Sequence, residues 1–306
     1  MAANWAALPY DEWSATCDTL HAHTQVLGKL AVALAPPEPQ LQHAALRVSA
    51  RGWETAPLPA PDGSGALVVA LDLHLHHAVV EHSDGRVHPV SLEPDRPVAE
   101  VTREVLAAVA GLVGPVEINV RPQETPWDTP LDEDYEHATY DRAQVEAYFA
   151  AATHAALVLA SLRAPYRGRS TPVNAWWGTF DLAIGLFSGR AVEPPSTDFI
   201  MRNSANSEQI EIGWWPGDAR YPRAAFFAFA VPSPDGFENA TLSPPAAYWN
   251  TELREFVLDW DAVRSEPDPQ AAARAFGLSA LRHACAVCGW DRTLAASALG
   301  ESPPVT

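Results

Sequence analysis

Basic charge is scarce in this chain, and lysine more so. Of 20 basic residues only Lys29 is a lysine, and the 38 acidic residues leave a formal charge of −18. Such a field repels phosphate backbones and anionic headgroups, which argues against nucleic acid and membrane surfaces as partners. Cysteine is scarce too: Cys17, Cys285 and Cys288 are an odd set that builds no disulfide framework. Together these features point to the cytoplasm. No run reaches the roughly 18 apolar residues of a membrane span. The segment Met1 to Tyr10 lacks the basic-then-apolar order of a secretory signal. Also missing are Gly-x-Gly-x-x-Gly, a Walker loop, a Gly-x-Ser-x-Gly elbow and His-Glu-x-x-His, so nucleotide cofactors, serine hydrolysis of that type and zincin chemistry lack support.

What is present is ample material for a core: 47% hydrophobic residues against 19% charged, over 306 residues. The pattern predicts an α+β fold. A first helix over 11–35 carries a buried stripe of Trp13, Cys17, Leu20, Thr24, Leu27, Ala31 and Leu34, ended by Pro36-Pro37. A second, polar stripe holds His21, Gln25, Gly28 and Lys29. A helical glycine costs roughly 1 kcal/mol against alanine, so Gly28 implies that something packs closely upon it. Strands are expected over 43–51, 66–81 (bent or broken) and 116–120, with a type I′ hairpin turn at Ser83-Asp84-Gly85-Arg86 and a helix over 98–113.

Residues 122–140, rich in proline, acid and aromatics, read as a connecting or functional loop. Beyond it come a helix over 141–164, strands over 173–179, 181–187, 208–215 and 224–231, and helices over 245–260 and 269–290. The echo between Leu71-Asp72-Leu73 with Ser83-Asp84-Gly85-Arg86 and Phe180-Asp181-Leu182 with Ser188-Gly189-Arg190 suggests two pseudo-repeated helix–antiparallel sheet–helix halves packed into one globular unit. The expected division is 1–121, a connector 122–140, 141–292 and a flexible tail 293–306.

Several residue sets carry candidate chemistry. On a continuous strand Asp72, His74 and His76 would share one face, opposite Leu71, Leu73 and Leu75. That face would be a solvated sheet surface, an acid–base pair or, as a lesser alternative, a divalent-metal site. His283-Ala-Cys285-Ala-Val-Cys288 has zinc-like spacing but lacks a second pair, and reads as core. Trp176-Trp177 and Trp214-Trp215 lie in strand-like runs, so one of each pair would enter the core and the other face out or line a cavity.

The segments L8-P-Y-D-E-W13, T19-L-H-A-H-T-Q-V-L-G-K29, A50-R-G52, H137-A-T-Y-D141, W177-G-T-F-D-L182, F187-S-G-R190 and W214-W-P-G217 resemble the family catalogued as domain of unknown function 5996. The resemblance spans about Trp5 to Arg292. It brings no assigned reaction. It implies a shared polar set of His21, Lys29, Arg51, Asp72, His76, His137, Asp181 and Arg190, leaving out His74 and the Cys pair. Where the family pattern has a His-Glu pair, this chain has Ser207-Glu208.

Two functions follow. One is a small-molecule enzyme of hydrolase, lyase or cyclase type, using acid–base chemistry without a redox cofactor, in specialised biosynthesis. His21, His76 and His137 would transfer protons, Asp72 or Asp181 would orient an imidazole, and Lys29 or Arg190 would hold negative charge. Gln25, Trp177, Trp214, Trp215 and Glu208 would contact the substrate. The enzyme reading requires His21, His76 and Asp181 to meet in one cavity. The other function is a non-catalytic module that binds a small molecule or a partner in a tryptophan-lined cleft, with structural histidines. The number of ionisable groups in the recurrent segments favours the enzyme.

Overall fold

A computed structural model describes residues 5–300 and gives an α+β protein built on antiparallel strands. The start of the expected leaderless segment and the end of the expected tail, from residue 301, lie outside the described residues. The chain divides into two compact units, each discontinuous: Asp11–Ala150 with Asn174–Phe180, and Met1–Tyr10 with Ala151–Val173 and Asp181–Thr306. This division exchanges segments between the halves read from chain order.

The unit containing Asp11–Ala150 begins with α1 (Tyr10–Leu34), whose first turn carries Asp11 and Glu12 where the helix dipole favours acids. Strands β1 (Leu46–Val48), β2 (Gly52–Glu54), β3 (Leu58–Pro59), β4 (Ala66–Asp72), β5 (His77–His82) and β6 (Val87–Ser91) follow, then α2 (Val98–Val113). The first turns of α3 (Arg142–Arg163) and strand β7 (Asn174–Trp176) complete it. Strand order is β7-β1-β2-β4-β5-β6, with β3 on β4, all antiparallel. Asp141 caps α3, its carboxylate accepting from Gln144 N–H at 3.0 Å, as expected for an Asp N-cap.

The other unit holds the rest of α3, then β8 (Asp181–Ala191), α4 (Phe199–Ser204), β9 (Ser207–Trp215), β10 (Ala225–Val231), β11 (Tyr248–Asn250) and β12 (Glu255–Asp259). The helices α5 (Trp260–Arg264), α6 (Pro269–Val287) and α7 (Arg292–Leu299) end it. Its strand order is β11-β12-β10-β9-β8. Both units combine helices with antiparallel strands, as an α+β protein requires, but α3 is shared between them and β12 lies between β10 and β11, so their element order does not establish the expected repeat.

Several expectations are corrected. The run 71–76 is not one strand: β4 stops at Asp72, and residues 73–76 form a turn with His76 at φ +55°. Asp72 causes the stop, its carboxylate oxygen accepting from the N–H groups of His74 (3.1 Å) and Leu75 (2.8 Å). Leu71 and Leu73 are therefore buried while Leu75 is 66% exposed. The hairpin after β5 is not type I′, because only Gly85 has positive φ. Gly85 N–H bonds the His82 carbonyl at 2.9 Å, giving a four-residue turn that ends on this positive-φ glycine.

Residues 116–120 form no strand. The stretch 245–260 is not a helix but β11, β12 and the start of α5. Asn250 closes the tight connection by accepting from Glu252 and Leu253 N–H, and the run Phe256-Val257-Leu258 then favours a strand. The expected flexible segment after 292 starts as helix α7, capped by Asp291. Finally, α3 is long and apolar enough to qualify as a membrane span by length and composition, which no run was expected to be. Half of its most apolar window is buried inside the protein.

Candidate functional site

The strongest concentration of buried polar groups is on α1. From Thr19 to Ala31 every residue is buried, so this helix is a central one and its polar stripe points inward rather than to water. Burying such groups is costly unless each finds a partner. Gln25 does so fully: its amide nitrogen donates to the carbonyls of Gln123 and Trp177, both at 2.9 Å, while its oxygen accepts from Gln123 N–H at 3.1 Å. The connector is thereby clamped to the helix through Gln123, and the helix to Trp177.

His21 has Nε2 at 3.0 Å from the carbonyls of both Trp177 and Gly178, so that nitrogen carries the proton and donates. Its ring stacks on Phe180 (5.0 Å) and meets the edge of Trp127 (5.3 Å). Trp127 in turn lies 4.8 Å from the His137 ring. His137 is half-buried, and its Nδ1 is 2.7 Å from a carboxylate oxygen of the fully buried Asp134. The other oxygen of Asp134 accepts from the N–H groups of Glu136 and His137, fixing the loop. Asp134 thus orients the imidazole and leaves Nε2 as the basic nitrogen.

Lys29 is 3% exposed. Its Nζ donates to the Gln123 side-chain oxygen at 3.2 Å and sits 5.2 Å from the centre of the Trp177 ring. Among the described residues no carboxylate pairs with it. Burial alone lowers its pKa from the usual lysine range to about 8. Gly28 explains itself beside it: a Cβ there would fall 2.0 Å from the Trp177 indole, so the close packing expected at this glycine is with that ring. Trp177 is 1% exposed and bonds the Ala44 carbonyl through Nε1 at 3.1 Å, making it a wall of the core.

His76 is buried elsewhere in the same unit. Its Nδ1 is 3.2 Å from the Tyr140 hydroxyl and its Nε2 is 3.8 Å from Glu146, and desolvation lowers its pKa. These partners are not those of His21, and Asp181 lies beside Glu255 in the other unit. The version of the enzyme in which His21, His76 and Asp181 share one cavity therefore gains no support, and an acid–base site has to be built on other residues. His74 is exposed, with Nε2 3.2 Å from the Ala50 carbonyl. Asp72, His74 and His76 therefore do not share a face, because the turn at 73–76 separates them. No group of three or more His, Cys, Asp or Glu among the described residues is arranged to hold a metal ion, so the metal alternative at these three residues gains no support.

The remaining expected site residues belong to the second unit. Asp181 is buried at the start of β8 and pushes up the pKa of Glu255, which burial chiefly raises to about 8. Arg190 is bound to Glu208 through Nε (2.6 Å) and Nη2 (2.8 Å), and to the Cys288 carbonyl at 2.7 Å. Glu208 also accepts from Ser188, so its carboxylate is engaged in an ion pair. Trp214 and Trp215 are both buried, against Trp260 and against Tyr221 and Phe227 respectively, so of the two expected roles for the second member of the pair, facing out does not apply.

A family model matches residues 5–297, over nearly the whole chain. The chain belongs to the family of unknown function DUF5996. No curated protein and no solved structure matches it. Membership agrees with the resemblance carried by the T19–K29 and W177–L182 segments, and in this DUF5996 chain those two segments meet: Gln25 bonds Trp177, and Gly28 packs on it.

Sequence reasoning missed His23, Gln123, Trp127 and Asp134 as members of this region. His23 is wholly buried, its Nδ1 has no hydrogen-bond partner among the described residues, and its pKa is lowered to about 4. Desolvation is the main cause. Arg96 and His137 add to it, and Asp134 opposes. The alternation of polar and apolar residues along His21-Ala-His23 carried a signal, but a helix buried on every side erases the contrast on which such a reading depends.

Proposed function

We propose that the His21–Lys29 stretch of α1 and the 122–140 connector form the small-molecule site of an acid–base enzyme. In this reading His137 takes a proton on Nε2 while Asp134 holds the ring, and Lys29 meets the electronegative group of the substrate. Gln25 and Gln123 position the connector over the lysine, and Trp127 and Trp177 supply aromatic surface. His21 is a positioning residue, since its Nε2 proton is committed to two carbonyls. Reactions of hydrolase, lyase or cyclase type fit one base and one amine. The observation that carries this reading is Lys29: a deeply buried amine whose described partners are an amide oxygen and an indole face. A structural core seldom keeps such a group, and perturbed ionisable groups cluster at functional sites.

The charge of −18 supports a small molecule over nucleic acid as partner, and three cysteines, an odd number in a chain this long, support a reducing, cytoplasmic setting. The second reading, a non-catalytic binding module, is favoured by His21 itself, which is enclosed by Phe180 and Trp127 and held by backbone.

A thermal-shift screen of small carboxylates, aldehydes, ketones and amides separates the two, since a ligand selective for the native state raises Tm. Lys29→Met, which removes a buried charge, is expected to melt above the wild type at pH 7 and to lose the hit. His137→Gln is expected to keep the hit but to lose turnover of it followed by NMR. A hit that leaves Lys29→Met unaffected sinks the site. A hit that the wild type never converts favours the binding module.

A further inference from the structure

We propose that Lys29 is a covalent amine, forming an imine with a small neutral aldehyde or ketone. The inference rests on the reading above, that Lys29 meets the substrate, and names the substrate class. Its basis is geometric. The Nζ lies against the Trp177 ring and beside one neutral amide oxygen, with no carboxylate within 4 Å among the described residues to hold it as an ammonium ion. The second neighbour, Gln25, spends its whole amide on backbone and also carries no charge. Among the described residues no second cation acts on the amine, whose pKa responds to burial alone, so an anionic substrate would find a single partly neutral amine; a neutral carbonyl compound needs no more. Gln123, whose side-chain oxygen accepts from the amine, is only half-buried, so the lysine's hydrogen-bond partner is itself partly open to solvent.

The chemistry balances without a further reactant. The nitrogen lone pair attacks the carbonyl carbon and forms the C–N bond, and the C=O π pair moves to oxygen. That oxygen takes up the proton lost by nitrogen. The carbinolamine then expels the oxygen as water, with a second N–H proton, as C=N forms. Burial lowers the amine's pKa to about 8, which raises its neutral fraction at pH 7 by a factor of about 300 over an ordinary lysine.

This chain makes the test unusually clean, because Lys29 is its sole lysine. The folded full-length protein is incubated with propanal and sodium cyanoborohydride, then digested, and N-propylation is read by mass spectrometry at the Lys29 peptide and at the α-amine. The expected result is labelling of Lys29 at pH 7 at least tenfold faster than Nα-acetyl-lysine methylamide in the same tube, with a rate that levels off above pH 8. Lys29→Met should be labelled at the α-amine alone. Labelling confined to the α-amine in the wild type, or a Lys29 rate no faster than the free amide and still climbing at pH 10, overturns the proposal. The two readings fail separately. If no imine is trapped yet Lys29→Met still loses the thermal-shift hit, the site stands and the imine falls. If the imine is trapped yet His137→Gln keeps full turnover, the imine stands and the base assignment falls.

Discussion

A buried histidine and a buried lysine lie on one helix here, and both are pushed toward their neutral forms, but their consequences for stability lie in different pH ranges. His23 has a folded pKa of about 4 against an ordinary 6.5. Its neutral form is the one the fold accepts, so its full contribution is present above pH 6.5. As pH falls from 6.5 to 4 the unfolded chain gains a proton that the folded chain refuses, and stability is lost. The linkage amounts to roughly 3 kcal/mol across that window. Urea unfolding of wild type and His23→Leu at pH 7, 5.5 and 4 should show the variant losing less stability, by about that amount. Equal slopes would mean that His23 ionises freely in the fold. For Lys29 the corresponding window is pH 8 to 10.5, where stability rises with pH, and the penalty for the ammonium form is complete below pH 8. Composition singled out Lys29 as the one lysine, and the structure places it in the buried cluster. His23, Asp134 and Gln123 were not legible, because their importance comes from contacts across the fold: Asp134 with His137, and Gln123 with Gln25 and Lys29.

At the scale of elements, the periodic segments were read well and the irregular ones poorly. The helices at 10–34, 98–113 and 142–163 match the sequence to within a residue or so, since apolar spacing fixes them locally and Asp141 caps the third. The misread stretches are those where a side chain ends a strand, as Asp72 does, or where Asn250 folds back a helix-prone run. Two glycines in helices make a matched test. In α1, Gly28→Ala drives a methyl into the Trp177 indole, so the gain of up to 1 kcal/mol in helix propensity should be outweighed by about 1–3 kcal/mol of overpacking. In α2, Gly111→Ala meets nothing within 4 Å and should stabilise by about 0.5–1 kcal/mol. Opposite shifts of the chemical-denaturation midpoint are expected. Stabilisation by Gly28→Ala would show that the indole is free to move aside.

For the molecule as a whole the dominant number is the charge. At −18, with a sequence pI near 4.9, self-repulsion opposes the folded state at neutral pH. Salt screens that repulsion over a Debye length of about 10 Å at 0.1 M. Raising NaCl from 10 to 300 mM should therefore raise Tm at pH 8 and do much less at pH 5. A salt response of the same size at both values would point to a bound anion instead. The α+β class was legible from the order of helices and strands, but the two-unit division was not: each unit draws on segments far apart in the chain, and nothing in the local sequence of Asn174–Phe180 says that it belongs with Asp11–Ala150.

That interleaving bears on how the protein is made. The ring that fills the notch at Gly28, and the strand that pairs with β1, are both supplied by residues 174–180. A nascent chain exposes α1 long before those residues leave the ribosome. At about 5–20 residues per second the wait is roughly 7–30 s. During translation the apolar faces of α1 and the Lys29 amine are thus uncovered together, and the polypeptide in that interval has the profile of a chaperone client.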